Sequence, residues 1–530
     1  MESNLNLRDK KVYIIGGGIA GLASAVYFIQ EGNIPAKNIC IFEQQNCIGG
    51  SMDGSGNNED GFIAHGARMF DKEAYACTYD LFSRIPSLED ESMSILDEFN
   101  KFNKETKFNR SNVRLIGDNA EKIDVLSFEL SKADKLALTN MIMQPELKFD
   151  KARICDCFTE EFFKSNFWYM WATTFAFQPW HSAIEFKRYL HRFIHEFPHV
   201  TDLAGVRHSK YIQFDSIILP IINYLKKQGV VFNMECKVFD FNFNIKDNKK
   251  CVSCINYIKD EKNFKIDVSE NDLVLATIGS MTAAFNVGDN NTKTVINNKD
   301  KDSSWSLWEN ISKHDSNFGH PEVFDSRINE SLWESITLTF KNTLFFDLVR
   351  DFCSGTGTEF TFKDSNWFLS LVLPKQPYFK NQSKDVQVAW GYALHPDREG
   401  NFVNKKMYDC TGKEILEEIC GLLKFDEYKE KILDSAICKA CVMPFITSQF
   451  LTRTKGDRPN IVPSSSKNLA FIGQFCEIKD DTVFTVDYSV RSAQIAVYTL
   501  LGLDYKEVTP IYKGEYDVRI LLGALATMIK

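Results

Sequence analysis

The residues best suited to chemistry come early. Gly16-Gly-Gly18-Ile-Ala20-Gly21 has the spacing G-x-G-x-x-G. In that pattern the first glycine permits a tight turn, the second lets backbone approach a pyrophosphate, and the third lets a helix pack close on a strand. A helix opening there points free N–H groups and the positive end of its dipole at phosphate. Glu43 follows about twenty residues on, where a carboxylate can accept hydrogen bonds from ribose hydroxyls. Glycines at this spacing also make ordinary turns. The strand before, the helix after and the acid beyond are what turn the spacing into a dinucleotide site.

Those residues need a βαβ unit to position them. Lys11 to Ile15 is a short β-branched run of the kind a buried parallel strand shows. Leu22 to Glu31 reads as a helix stopped by Gly32, and Asn38 to Glu43 as the second strand. From about Gly66 to Phe197 the pattern is mainly helical and rich in Phe, Trp and Tyr. Strand patterns return at Val231–Val238 and Asp272–Thr277, and a mixed stretch with a strand at Ser335–Phe340 follows. Asn468 to Gly473 reads as a strand leading to a last core helix at about Tyr488–Leu501.

The expectation is an α/β, Rossmann-like chain whose nucleotide-binding domain is discontinuous, formed by residues 1–65, 200–290 and 460–500. Residues 66–199 form a mainly helical insertion, 291–459 a mixed α+β substrate domain, and 501–530 a helical tail. A length of 530 residues accommodates this.

Composition narrows the function classes. The net charge of -9 argues against general affinity for nucleic acid. The 43 Phe, 18 Tyr and 8 Trp, many of them between Phe158 and Phe197, are mostly explained by a core; an apolar tunnel is the sharper alternative. The first residues lack the pattern of a secretory leader and no run of 18 or more apolar residues occurs, so a cytoplasmic chain with reduced thiols is expected. Two C-x-x-C pairs, Cys251/Cys254 and Cys438/Cys441, suggest a zinc site, but the first sits in a strand pattern that turns residues three apart to opposite sides. The expectation is no metal.

The segment after Glu43 bears on which dinucleotide is bound. Gln44 to Asp53, with Gly50 and Ser51, resembles the second signature stretch of the two-dinucleotide-binding-domain flavoproteins. Asp272 to Ser280 resembles their middle glycine-bearing strand, and Leu469 to Gly473 with Asp480-Asp481-Thr482 their C-terminal flavin motif. The resemblance implies FAD, with Val238 where backbone meets the adenine and Asp481 and Thr482 at the ribityl chain.

Longer runs point to one family. They are His65 to Met69, Cys77 to Leu88, Asn166 to Phe177, Trp180 to Glu185 with Arg188 and Tyr189, Lys210 to Ser216, Trp305 to Asn310, Asp364 to Trp367, Lys455 to Pro459, and Phe484 to Ser489. Together they resemble the oleate hydratases, the myosin-cross-reactive antigen family, over nearly the whole chain. The resemblance implies addition of water to the cis double bond of a long unsaturated fatty acid, with FAD as a non-redox element that Ala20, Arg68 and Met69 also help to hold. It implies Tyr189 as the proton donor, and Gln213 and Asn366 near the substrate; both amides could equally be structural.

The sequence departs from the family at one place. The family's water-activating Glu follows an Arg, but here Met69 follows Arg68. Asp71 or Glu73 could bring a carboxylate to that space, with Glu73 preferred on reach. His181 reads as a core histidine. The tail from Asp517 to Lys530 is too short to span a bilayer and packs on its own body or a partner, with peripheral docking at a membrane as the alternative. A monomer or homodimer is expected. Two rival readings stand beside the hydratase: a flavin oxidoreductase of the amine-oxidase or desaturase type, and a fatty-acid-binding homologue that has lost its chemistry.

Overall fold

A computed structural model describes residues 9–106, 108, 113–297, 301–353 and 358–529. Five short strands form a parallel sheet: β1 (Val12–Ile15), β2 (Ile39–Phe42), β3 (Val231–Asn233), β4 (Leu273–Thr277) and β5 (Leu469–Ile472), in the order β5-β4-β1-β2-β3; the other four are mostly buried and the edge strand β3 is partly exposed. Val12 stands opposite both Leu273 and Ile39. The strands come from three distant stretches of chain, those expected to share the nucleotide-binding domain. Helix α1 (Ile19–Gln30) starts three residues earlier than its apolar pattern suggested, because the glycine turn ends at Gly18.

Helix α2 (Asn166–Phe175) is capped by Ser165, whose hydroxyl accepts the Trp168 N–H at 3.2 Å. Helix α3 (Ala183–Arg192) follows, and α4 (Val486–Leu501), capped by Thr485, packs along α1. Helix α5 (Val518–Ile529) buries Ala524 and Met528 against the turn at Ile194–His199 and leaves Val518, Leu522 and Leu525 exposed.

The second large sheet has seven strands, in the order 286–288, 436–443, 333–340, 387–393, 369–373, 358–362 and 115–116. Its last strand, Leu115–Ile116, is contributed by the mainly helical stretch, so that insertion is not helical throughout. The hairpin 54–57/61–64 docks on this sheet. There Thr339 and Thr337 hydroxyls accept the N–H groups of Phe62 and Ala64, both at 3.0 Å.

Most aromatics between Phe158 and Phe197 pack on one another. Phe158 stacks on Phe162 with ring centroids 4.0 Å apart, and Phe167 on Trp171 at 5.5 Å. Most are core, while Trp171, Phe175, Tyr189 and Phe193 also line a cavity. The two C-x-x-C pairs lie in different sheets as buried free thiols. No helix among the described residues is long and apolar enough to cross a membrane.

Candidate active site

At the carboxyl ends of the parallel strands lies a cleft of about 460 Å³, where open α/β sheets bind their ligands. Its floor is the turn expected from the glycine spacing. A Cβ on Gly21 would lie 2.1 Å from the Gly16 carbonyl oxygen, so no side chain fits there. A Cβ on Gly18 would meet nothing closer than Gly50 Cα at 4.0 Å, which leaves its backbone open to the cleft. No side chain caps the amino end of α1, and its first turn carries no acidic residue. Its positive end therefore faces the cleft, with the Glu43 carboxylate beside it.

Glu43 lines the cleft, and its carboxylate accepts the N–H groups of Gly17 at 2.8 Å and Gln45 at 2.9 Å. Burial raises its pKa, partly offset by these bonds. Ala20, Gln44, Gly50, Ser51, Ser280 and Gly473 also line the cleft, and Gln44 accepts the Ser303 N–H at 2.6 Å. The Thr277 hydroxyl in the same wall is buried without a hydrogen-bond partner among the described residues. An uncapped helix end, an open glycine and an unpartnered hydroxyl in one cleft fit a dinucleotide.

A second cavity, of about 120 Å³, is mostly apolar. Trp171 and Phe175 of α2, Tyr189 and Phe193 at the end of α3, Phe484 and Thr485 before α4, and Met69 form part of it; Arg68, Asp71, Tyr75 and Glu196 form the polar side. The Tyr189 hydroxyl donates to the Val483 carbonyl at 2.6 Å. Burial holds the Tyr189 pKa well above the ordinary phenol range. Its apolar walls are of the kind that an acyl chain packs against.

Two contacts join the cavities. Arg68 lines the apolar pocket and donates to the Ser51 carbonyl of the cleft at 3.2 Å. Gln474 of the cleft accepts the N–H of Phe484 in the pocket wall, where Phe484 takes a φ of 72°. Burial lowers the Arg68 pKa, and the neighbouring Tyr75, Tyr378, Asp53 and Tyr189 favour its charged form.

Buried ion pairs fix α3 and hence Tyr189. Glu185 pairs with Arg453 at 3.1 Å and Arg458 at 3.0 Å, and Arg188 with Glu477 at 3.1 Å. One turn on, Arg192 meets Asp481, which also binds Arg491 at 2.8 Å, and Arg491 reaches Asp487 at 2.7 Å. These residues recur on α3 every three or four positions, so one helix face is ionic and locked.

Several expected residues stand elsewhere. Asp481 is buried and fully engaged by two arginines, so its carboxylate is not free for a ribityl chain. Thr482, also buried, lies outside the cleft lining. Val238 is fully buried, and Cys236, two residues earlier, lines the cleft instead. Arg68 and Met69 line the pocket rather than the cleft. Gln213 is a structural amide, donating to the Gly66 carbonyl at 2.6 Å. Asn366 is exposed, with its N–H on Asn401, and lines neither cavity. Glu73 is half exposed, sits 3.7 Å from Lys72 and is outside the pocket lining, whereas Asp71 belongs to it. His181 is a satisfied core histidine: its Nδ1 accepts the Gln178 N–H at 3.0 Å, and burial pushes it down to about 3.

Sequence reasoning missed His65 and Asp53, paired in the cleft wall, and Lys301, which lines the cleft while bound to Glu309 and Asp325. Glu196 in the pocket was also missed. His65 stood in a quoted run, but nothing in its type or spacing assigned it a role.

A family model described as the MCRA family matches residues 9–498. An oleate hydratase of Streptococcus pyogenes serotype M49 (strain NZ131) is 38% identical over 530 residues, covering 97% of this chain and 89% of that protein. A linoleate hydratase of Lactiplantibacillus plantarum is 34% identical over 565 residues, covering 98% of each. Among solved structures, cyclohexylamine oxidase from Brevibacterium oxydans IH-35A superposes with a TM-score of 0.53 at 12% identity, covering 93% of this chain and 99% of that one. An oxidoreductase from Methanosarcina mazei gives 0.51 at 13% identity, covering 92% and 100%. At such identities the solved structures show a shared Rossmann-like flavoprotein fold and nothing of the reaction.

Proposed function

The chain belongs to the MCRA family, and from that premise we propose that it is a hydro-lyase adding water to the cis double bond of a long-chain unsaturated fatty acid, with FAD held in the glycine cleft. What carries the reading is Tyr189, a hydroxyl in the wall of an apolar pocket, in a chain 38% identical to an oleate hydratase over 97% of its length.

An isolated alkene is a very weak base, so hydration needs a proton donor at one carbon and a group that orients and deprotonates water at the other. Tyr189 is the donor. Burial keeps its proton on oxygen at any working pH. Rotation about the C–O bond moves that proton from the Val483 carbonyl toward the pocket. Giving it up leaves a phenolate, and the neighbouring Arg68 charge stabilises that anion. The aromatic walls keep bulk water from the carbocation-like centre, which limits attack to a water held by the polar side of the pocket.

Gly16, Gly18 and the amino end of α1 would take the pyrophosphate, Glu43 a ribose, and Ser51, Ser280 and Gly473 the rest of the dinucleotide. Bound FAD supplies structural and electrostatic support, because hydration is redox-neutral. The exposed Val518, Leu522 and Leu525 of α5 suit peripheral contact with the lipid surface that holds such a substrate.

Anaerobic incubation of the flavin-loaded protein with oleate in oxygen-18 water tests this. The expected product is a hydroxy fatty acid carrying the label, with no net change in flavin redox state. Flavin reduction coupled to an unlabelled product would place the chain among oxidoreductases. Tight oleate binding without product would make it a binding protein.

A further inference from the structure

Where the family resemblance puts the water-activating carboxylate, the pocket has the thioether of Met69, which cannot act as a base. We propose that Glu196 is the base that activates water in this chain, with Asp71 and His195 as positioning residues. The proposal rests on the hydratase reading above.

Glu196 lines the same 120 Å³ pocket as Tyr189 and Met69. It sits in the turn Ile194–His199 directly after α3, so one continuous segment carries both the acid and the base. Gly205 makes room for it. A Cβ there would lie 2.0 Å from Glu196 Oε1, so a side chain at 205 would expel the carboxylate from its place.

Asp71, the other carboxylate of the pocket, is occupied. Its Oδ1 accepts the N–H groups of Glu73 at 2.9 Å and Ala74 at 2.5 Å, and its Oδ2 lies 3.0 Å from His195 Nε2. A carboxylate serving three donors is a poor base. Glu196 Oε1 lies 3.6 Å from the same His195 nitrogen, and the three ligating atoms of Asp71, His195 and Glu196 fall within 4.8 Å of one another. Asp71 and His195 thus fix where the Glu196 carboxyl can stand.

The electrostatics agree with that geometry. Burial, then the Asp71 charge, pushes Glu196 up to about 7, a strength suited to proton transfer near neutral pH. Burial also raises Asp71, but the His195 hydrogen bond and charge outweigh it and leave Asp71 below its ordinary range. His199 and Asp202 face Glu196 from its own turn and the loop after it. Arg68, Tyr75 and Tyr189 face it from the rest of the pocket. The C-terminal tail adds Tyr512, whose ring meets His195 at 4.9 Å, and Glu73 adds its charge near His195.

In the step, the Tyr189 O–H bond breaks and its proton forms the new C–H bond. A water lone pair forms the C–O bond at the other alkene carbon, and a proton of that water passes to Glu196. Glu196 then returns a proton through solvent to the Tyr189 phenolate, so neither residue is consumed.

The test is oleate hydration by the flavin-loaded wild type, Glu196→Gln and Glu196→Asp across about pH 5.5 to 8.5. In Glu196→Gln kcat falls about 100-fold or more, with flavin still bound and KM for oleate within about threefold of wild type. Wild-type kcat/KM rises with pH on a limb near 7, because the base must lose its proton; that limb is absent from Glu196→Gln and displaced in Glu196→Asp, which keeps part of the rate. A Glu196→Gln rate within about threefold of wild type, or the same limb surviving in it, overturns the proposal. Should Glu196→Gln not hold flavin, Gly205→Ala replaces it, since it displaces the carboxylate without removing it. A rate loss of about tenfold or more supports the role, and an unchanged rate overturns it. A wild type that gives no labelled hydroxy acid instead overturns the hydratase reading itself, a different result from an active wild type with an equally active Glu196→Gln.

Discussion

The cleft of about 460 Å³ is floored by backbone, and the pocket of about 120 Å³ is walled by side chains. In the cleft, glycines 16, 18 and 21 and the open end of α1 follow each other within six residues, and the geometry follows from what has no side chain. In the pocket, Arg68, Trp171, the stretch from Tyr189 to Glu196, and Phe484 come from four separate places in the chain. Buried ion pairs tie α3 to the loop before α4 and to α4 itself. The same overall fold recurs at 12% identity in an amine oxidase, so the fold alone does not set the chemistry. The proposed reaction is assigned to the side-chain-built pocket.

Four substitutions separate the two regions. The largest effect is expected from Tyr189→Phe, which removes the proposed proton donor: hydration of oleate falls about 10²- to 10⁴-fold while flavin absorbance of the purified protein is retained. Simultaneous loss of flavin would mean that the regions are not separable. Next comes Asp481→Asn, which leaves Arg192 and Arg491 short of a buried partner. Stability by denaturant titration is expected to drop by about 3–5 kcal/mol; a drop below about 1 kcal/mol would show that these pairs do not hold α3 in place.

Gly18→Ala is milder and acts on the cleft alone. Its methyl has room to fit but stands where a pyrophosphate must approach. Flavin affinity should weaken about tenfold, or about 1.4 kcal/mol, with an unchanged melting temperature of the apoprotein. Unaltered affinity would place the dinucleotide elsewhere. The smallest effect belongs to Asn366→Ala, at an exposed side chain in neither cavity. Stability within about 0.5 kcal/mol of wild type and an unchanged rate are expected; a large fall in rate would restore Asn366 to the substrate path.

Much of the cleft was legible because glycine spacing, strand pattern and a carboxylate at the next strand end are local signals. The strands β4 and β5 show short apolar runs in the sequence, whereas the expected strand Val231–Val238 divides into β3, which ends at Asn233, and a strand of another sheet that begins at Lys237. Tyr189 was legible only through the family resemblance. Nothing local distinguishes it from other buried tyrosines such as Tyr488. Asp481 misled for a physical reason: an acidic residue in a flavin-like motif is also a suitable partner for arginines, and Arg192 and Arg491 lie far from it in sequence or one helix away. Glu73 looked well placed because reach along a chain is visible in sequence, whereas the direction of a side chain is not. Glu196 was illegible because its place depends on Gly205 and on Asp71, neither of which is near it in sequence and both of which touch it in space.

The most direct test of the central claim is a crystal structure of the protein with FAD and oleate. The account expects flavin-nucleotide density in the glycine cleft, beside Gly18 and Glu43, and the acyl double bond in the apolar pocket within reach of Tyr189. Acyl density in the glycine cleft, or a double bond far from Tyr189, would contradict it.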